Sequence, residues 1–523
     1  MLDHGPGRAG WQRAAAAAAA GALPGLAFPA PGLWWFAYGA LVPWMLLLRT
    51  ARSGRRAALE GWLGGAGFIL AVHHWLLPSL HVFLLPLALL MGLLWVPFGL
   101  LVRRLLGGSP PAGRAAAALV LVPAGWLLSE LVRSWEGLGG PWGLLGASQW
   151  QVPAALRLAS VGGVWLLSLL VVAVNCVLVV LLVVPRARVV AAAGAAALAV
   201  AVGAVWLWVP APETYGRLRV AVVQPGVLNG PDGAERRFSA GERLTEGLAG
   251  RRPDLVVWGE SSVGADLAAR PDLAGRLAAL SARVDAPLLV NVDARGADRP
   301  GIWKSSVLVG PEGPTGDRYD KMRLVPFGEY VPARAALGWV TSVGKAAGED
   351  RRRGAAPVLM ALPGRPDLRI GPLVCFESAF PDMGRRLAAD GAGLLVAQSA
   401  TSTFQDSWAP AQHASLAALR AAETGRPMVH ATLTGISAVH GPAGERLGRL
   451  LPTSAAVAEV YEVPLARGTT FYVRWGDWAV RGALAALAGY AVGAGFAAAG
   501  RRPRPVRSPV PGPPARSARR VRG

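Results

Sequence analysis

The stretch Leu368-Arg369-Ile370-Gly371-Pro372-Leu373-Val374-Cys375-Phe376-Glu377-Ser378 decides how the chain is read. An apolar run of β type ends in a cysteine, and a helical pattern over 381–389 follows. A nucleophile at a strand end sits where N–H groups of the next turn can face a developing oxyanion. The chain has two cysteines, and Cys176 lies inside the apolar run 166–184, where it reads as membrane filler. Cys375 is therefore the credible thiol nucleophile. Taken alone it is as readily an inert core residue, because free cysteine is among the most buried residue types.

Two further stretches break that tie. In Leu255-Val256-Val257-Trp258-Gly259-Glu260-Ser261-Ser262 a short apolar run ends in a carboxylate. In Tyr319-Asp320-Lys321-Met322-Arg323-Leu324-Val325-Pro326-Phe327-Gly328-Glu329-Tyr330-Val331-Pro332 a lysine and a glutamate bracket an apolar, proline-kinked segment. Each motif alone is an ordinary solvated charge. Together, Glu260, Lys321 and Cys375 have a mechanism. The carboxylate takes the thiol proton, and the ammonium lowers the thiol pKa from about 8.5 and holds the tetrahedral oxyanion.

In this order the three residues resemble the catalytic set of the nitrilase (carbon–nitrogen hydrolase) superfamily. Residues 319–332 and Cys375-Phe376-Glu377 look more specifically like the apolipoprotein N-acyltransferase family, as do Pro410-Ala411-Gln412-His413 and Arg420-Ala421-Ala422-Glu423-Thr424-Gly425-Arg426-Pro427. The resemblance covers nearly the whole chain. It implies a four-layer αββα sandwich and an acyl transfer through a Cys375 thioester. The donor would be a phospholipid and the acceptor the N-terminal amine of a diacylglyceryl-cysteine on an apolipoprotein. Glu260 would be the base, and Lys321, with the backbone N–H of Phe376, would hold the oxyanion. Glu329 and Glu377 are supporting candidates that either tune Lys321 or orient the amine. No cofactor or metal is implied, and a monomer is expected.

The chain departs from the family pattern in three places. Gln398-Ser399-Ala400-Thr401-Ser402-Thr403-Phe404 replaces an Asn-Asp-Ala-Trp-Phe-like run, which leaves the shape of one pocket wall open. Phe376 stands where many relatives have tyrosine, and the tryptophan expected downstream of Gln224-Pro225 is missing.

Composition sets the compartment. Of 523 residues 53% are hydrophobic and the mean hydropathy is +0.38, too apolar for a soluble chain of this size. Tryptophans outnumber tyrosines 20 to 7, and many flank apolar runs, as interfacial anchors do. The formal charge of +21 would suit a nucleic-acid binder, but much of the excess lies beside apolar spans and in the tail. The seven histidines form no metal-like spacing.

Apolar stretches of about the 17–25 residues that a span needs run over 11–29, 32–48, 58–77, 82–102, 115–132, 161–184, 189–209 and 478–499, giving eight expected spans. Arginines follow the second, fourth, sixth and eighth, which places those ends in the cytoplasm by the positive-inside rule. The expected organisation is a transmembrane bundle over 1–210, an extracytoplasmic α/β domain over 215–466, a last span over 478–499 and a basic, disordered cytoplasmic tail over 501–523. The localisation implied is a bacterial cytoplasmic membrane. Strands are predicted at 218–224, 255–258, 287–292, 305–309, 368–375, 394–397, 428–432 and 437–440. Helices are predicted at 240–249, 271–284, 381–389 and 411–423. Residues 338–364 read as a mobile loop, and together with Trp135 and Trp142 they are expected to border a mouth for acyl chains.

Two rival readings remain. A membrane-anchored nitrilase-type amidase shares the triad, but a small soluble substrate needs no multi-span bundle. A transporter would carry ionisable residues within its spans, and Glu60 and Glu130, the main ones here, lie near span ends.

Overall fold

The computed structural model describes residues 8–228, 230, 232–295, 301–338 and 349–499. Twelve strands form two six-stranded sheets. The first sheet has the order β12-β1-β2-β3-β4-β5, built from Val457–Arg467, Glu213–Gln224, Leu255–Trp258, Leu288–Arg295, Ile302–Gly310 and Gly313–Asp320. The second has the order β11-β10-β9-β8-β7-β6, from Arg446–Leu451, Ser437–His440, Met428–Thr432, Leu394–Ser399, Arg365–Val374 and Met360–Leu362. The central strands β1, β2 and β3 pair in parallel, as do β7, β8 and β9.

Side-chain alternation explains the layering. Successive residues of a strand face opposite sides of the sheet. Val220 and Val222 join Ile370, Val396 and Val429 in the core between the sheets. Ala221 and Val223 face the other way, onto the helices Gly233–Glu246 and Pro271–Val284. The second sheet is backed by Pro381–Ala389 and Ala409–Thr424, giving four layers. Within this fourth layer the helix Ala409–Thr424 has almost no solvent side of its own. Leu373, Leu395, Leu416 and Leu419 share one continuous core with Trp126 and Leu167 of the apolar bundle and with Tyr472 in the short helix Phe471–Trp475.

Among the described residues, five helical stretches are long and apolar enough to cross a membrane: Gly54–Leu106, Ala112–Arg133, Pro153–Val183, Pro185–Trp208 and Trp478–Ala497. The first folds back on itself. Gly54–His73 lies against Leu84–Gly92 and Val96–Leu106, where a Cβ on Gly65 would come within 2.6 Å of the Gly92 carbonyl oxygen. The two N-terminal expected spans contain shorter helices, Arg8–Ala22 and Val42–Arg49, each next to a proline-containing turn or first turn. A Cβ on Gly21 or Gly67 would stand 2.0 Å from a backbone oxygen of the facing helix, so these small residues set how closely Arg8–Ala22 crosses Gly54–His73. Cys176 is buried in the bundle, as its sequence setting implied. The tail at 501–523 and residues 339–348 of the expected loop lie outside the described residues.

Candidate active site

Each reactive side chain stands at a strand end on one edge of the sandwich. β2 ends at Trp258, and Gly259 then brings its chain against the second sheet, where an added Cβ would lie 1.9 Å from the Leu433 nitrogen. Only glycine fits there. The next residue, Glu260, donates its backbone N–H to Ser399 at the end of β8, which pins the two sheets together at the site. Lys321 follows β5 directly, and its backbone N–H binds the Lys304 carbonyl on β4. β7 ends at Val374, and Cys375 follows with φ +53°. Left-handed backbone at a non-glycine residue costs about 1 kcal/mol or more and persists only where the surroundings impose it. Here it turns the chain from strand into the 3-10 turn Cys375–Ala379. The first N–H groups of such a turn lack intrahelical acceptors, and that of Phe376 is among them.

The three expected catalytic residues are brought together. Lys321 Nζ lies 2.7 Å from Glu329 Oε1 and 3.3 Å from Glu260 Oε1. Glu260, Lys321 and Glu329 are buried, and the Cys375 thiol is partly so, 4.0 Å from the Ala400 carbonyl. Glu329 stands beside Lys321, and its second oxygen accepts the Val325 N–H at 2.9 Å.

Glu377 has a different part. Its carboxylate accepts from Tyr319 Oη at 2.7 Å, Met322 N at 2.6 Å, Arg323 N at 3.0 Å and Val374 N at 2.7 Å. Those bonds tie the Lys321 segment to the Cys375 turn and engage both carboxylate oxygens. Phe376 packs edge-on to Phe380 at 5.0 Å.

Sequence reasoning missed Lys304. Its Nζ lies 3.4 Å from Glu260 Oε1 and 3.3 Å from Asp293 Oδ1, and it donates to Ser261 Oγ. Its only signal in the sequence is a lone lysine inside the apolar run 302–309, one residue before the expected strand 305–309. Also unassigned was His413, whose Nε2 lies 3.0 Å from both the Cys375 carbonyl and Ser378 Oγ, behind the nucleophile. Trp142 belongs to that backing layer. It is buried, donates to Gln412 Oε1 at 2.8 Å and packs on His413, so it does not border a mouth, whereas Trp135 is exposed. Gln398, where the chain departs from its resemblance, is a buried tie between the sheets that donates to Trp258 O at 2.8 Å and Leu289 O at 3.1 Å.

Electrostatics fix the resting protonation. Burial pushes the Glu260 carboxyl up, but Lys304 and Lys321 more than offset it and hold it down at about 2. Burial works against the charges of Lys304 and Lys321, yet the surrounding carboxylates, Glu260 first, raise both. Burial drives the Cys375 thiol well up, Glu260 pushes the same way, and Lys321 opposes them without winning. This reverses the expectation that the ammonium leaves the thiol acidic. These shifts favour a neutral thiol beside an ionised carboxylate, so the thiol proton has to leave before or as a sulfur–carbon bond forms. Among the described residues, no histidine, cysteine and carboxylate cluster is arranged to hold a metal ion.

Two facing sheets with Glu, Lys and Cys at neighbouring strand ends define a carbon–nitrogen hydrolase domain, and residues 219–467 match the family profile described as carbon-nitrogen hydrolase. An amidase from Nesterenkonia sp. is similar at 20% identity, with 48% of this chain and 92% of that one covered and a TM-score of 0.34. Residues 20–177 match a second profile, the apolipoprotein N-acyltransferase N-terminal domain. The apolipoprotein N-acyltransferase of Azotobacter vinelandii is 33% identical over 93% of this chain and 96% of its own length. That of Geobacter metallireducens is 30% identical over 90% and 94%. The chain belongs to the apolipoprotein N-acyltransferase family.

Proposed function

We propose that the protein N-acylates apolipoproteins, moving an acyl chain from a phospholipid to the α-amine of their diacylglyceryl-cysteine through a thioester on Cys375. The observation that carries the roles is the buried Glu260–Lys321–Glu329 cluster beside Cys375 in its left-handed turn. In the first half-reaction Sγ attacks the ester carbonyl while its proton passes to Glu260. Lys321 and the Phe376 N–H hold the oxyanion. Collapse expels the lysophospholipid alkoxide, which takes the proton from Glu260. In the second, the amine attacks the thioester and loses a proton to Glu260. The thiolate leaves and recovers that proton. The donor ester already carries the acyl group, so the scheme balances without ATP.

The membrane setting supports this over a small-molecule amidase, because both substrates are lipids. Eight crossings are proposed, with Gly54–Leu106 supplying two and the shorter Arg8–Ala22 and Val42–Arg49 segments contributing one each. The sandwich then lies on the extracytoplasmic face of a bacterial cytoplasmic membrane, in a monomer. Mass spectrometry of the Cys375 peptide after incubation with phospholipid tests the acyl-enzyme, and addition of a diacylglyceryl peptide must then discharge it. Acyl mass absent from Cys375 while peptide product forms would refute the thioester.

A further inference from the structure

A cavity of about 950 Å³ lies away from the reactive cluster. Its floor is the joint between the sandwich and the bundle. The helix Ala409–Thr424 separates the two places: His413, near its start, backs Cys375, whereas Ala422 and Gly425, at its end, line the cavity. Twelve residues of helix span about 18 Å. None of the catalytic or supporting side chains described above reaches it.

The cavity wall is strongly basic. Arg157, Arg426, Arg446, Arg467 and Arg474 line it against only two carboxylates, Glu213 and Glu445. Arg426 is used by the fold, donating to the carbonyls of Ala392, Gly425 and Gly468. The others are not so used. Arg446 and Arg474 have no carboxylate partner among the described residues, and Arg157 Nε is buried without a hydrogen-bond partner. Arg467 rests on the Tyr215 ring at 4.3 Å.

The second wall is apolar and sits at a membrane exit. Trp206 and Trp208 close the end of the apolar helix Arg188–Trp208 and line the cavity, with Leu207 exposed between them. Tryptophan at a span end marks the headgroup level of a bilayer. Unpaired guanidinium groups match phosphate oxygens in bidentate geometry.

We infer that this cavity is a second lipid site, which holds the phosphodiester headgroup of an anionic phospholipid from the outer leaflet while its chains run down the exposed face of Arg188–Trp208. It rests on the membrane placement proposed above and is independent of the acyl-transfer chemistry. A net-neutral headgroup would leave the arginine surplus uncompensated, and a lone phosphate would leave the tryptophan wall unused.

The test is native mass spectrometry of the full chain in neutral detergent, titrated with phosphatidylglycerol, phosphatidylcholine or inorganic phosphate. One phosphatidylglycerol should be retained at least tenfold more tightly than phosphatidylcholine. The double variant Arg446→Gln/Arg474→Gln should lose at least tenfold of that preference, and Arg474→Gln alone part of it. Both side chains are exposed, so a thermal melt without lipid should match the parent. Cys375→Ala should bind as the parent does. Equal retention of the two lipids, or unchanged retention by the double variant, overturns the site. Displacement of the lipid by equimolar inorganic phosphate would make it a phosphate site, and loss of binding in Cys375→Ala would place the lipid in the catalytic centre.

Discussion

Arg420 with Glu423, and Lys321 with Glu260 and Glu329, are both buried ionic clusters, yet they direct their hydrogen bonds differently. At the joint with the bundle, Arg420 donates to the Ala379 carbonyl at 2.8 Å and pairs with Glu423 at 2.7 Å. Glu423 in turn accepts the Val164 N–H at 2.8 Å, just past Gly163, where the helix Pro153–Val183 breaks with φ +66°. These charges are tied to main chain and complete a kink that would otherwise leave a buried N–H unmet. At the strand ends Lys321 Nζ itself bonds, among the described residues, to two carboxylates and no main-chain oxygen, and one of them, Glu260, shares its oxygen with Lys304. Charge bound to main chain fixes a shape. Charge bound to other side chains can reorganise when an oxyanion forms nearby.

The largest effects should fall on the second cluster. Cys375→Ser should abolish acyl loading, and Lys321→Met should slow single-turnover loading by on the order of 10²–10³ or more, the usual cost of one oxyanion donor. A well-folded Lys321→Met protein that loads at the parent rate would put Lys321 in the same class as Arg420 and erase the contrast. Glu260→Gln should slow both loading and discharge by on the order of 10²–10⁴, since the same carboxylate serves the thiol and the amine. A defect confined to one half-reaction would show that another group is the second base.

Lys304→Met sharpens the comparison through pH. Glu260 sits at about 2 with two lysines facing it, so it is ionised, and loading should have no acid limb from about pH 4 upward. Removing Lys304 removes the largest influence holding that carboxyl down, so an acid limb should move up in pH, with roughly tenfold or less lost on the plateau. An unmoved profile would leave Lys304 a purely structural cation. The smallest effect on chemistry belongs to the joint. Glu423→Gln strands Arg420, and breaking such a buried pair costs about 3–5 kcal/mol. The melt should shift down while loading at low temperature stays near the parent rate. The reverse pattern would mean that the joint transmits to the site.

How much of this was legible divides along the same line. The eight expected strands all occur, three with the same ends, and the four that were missed are β5, β6, β11 and β12. These are the outer strands of both sheets. An inner strand is covered on both faces and reads as an unbroken apolar run. Gly313–Asp320, an outer one, carries Gly, Pro, Asp and Arg on a half-solvated edge and has no such run. The candidate residues Glu260, Lys321 and Cys375 were legible because each stands at the end of a run or in a distinct motif. Lys304 was hidden inside a strand, where nothing in the sequence says which way its side chain faces. The thiol's protonation was misjudged because burial acts on it more strongly than the one cation weighed.

In the helix Ala409–Thr424, every residue but Ala411 is buried, one face on the second sheet and the other on the bundle. For anyone wishing to trim or transplant the enzyme, residues 215–466 are therefore no detachable cassette. Cut loose, that segment would present a broad greasy surface to water. It should come out of expression as aggregate unless detergent or the missing helices are supplied. The apolar bundle is, in that sense, the sandwich's own outer wall.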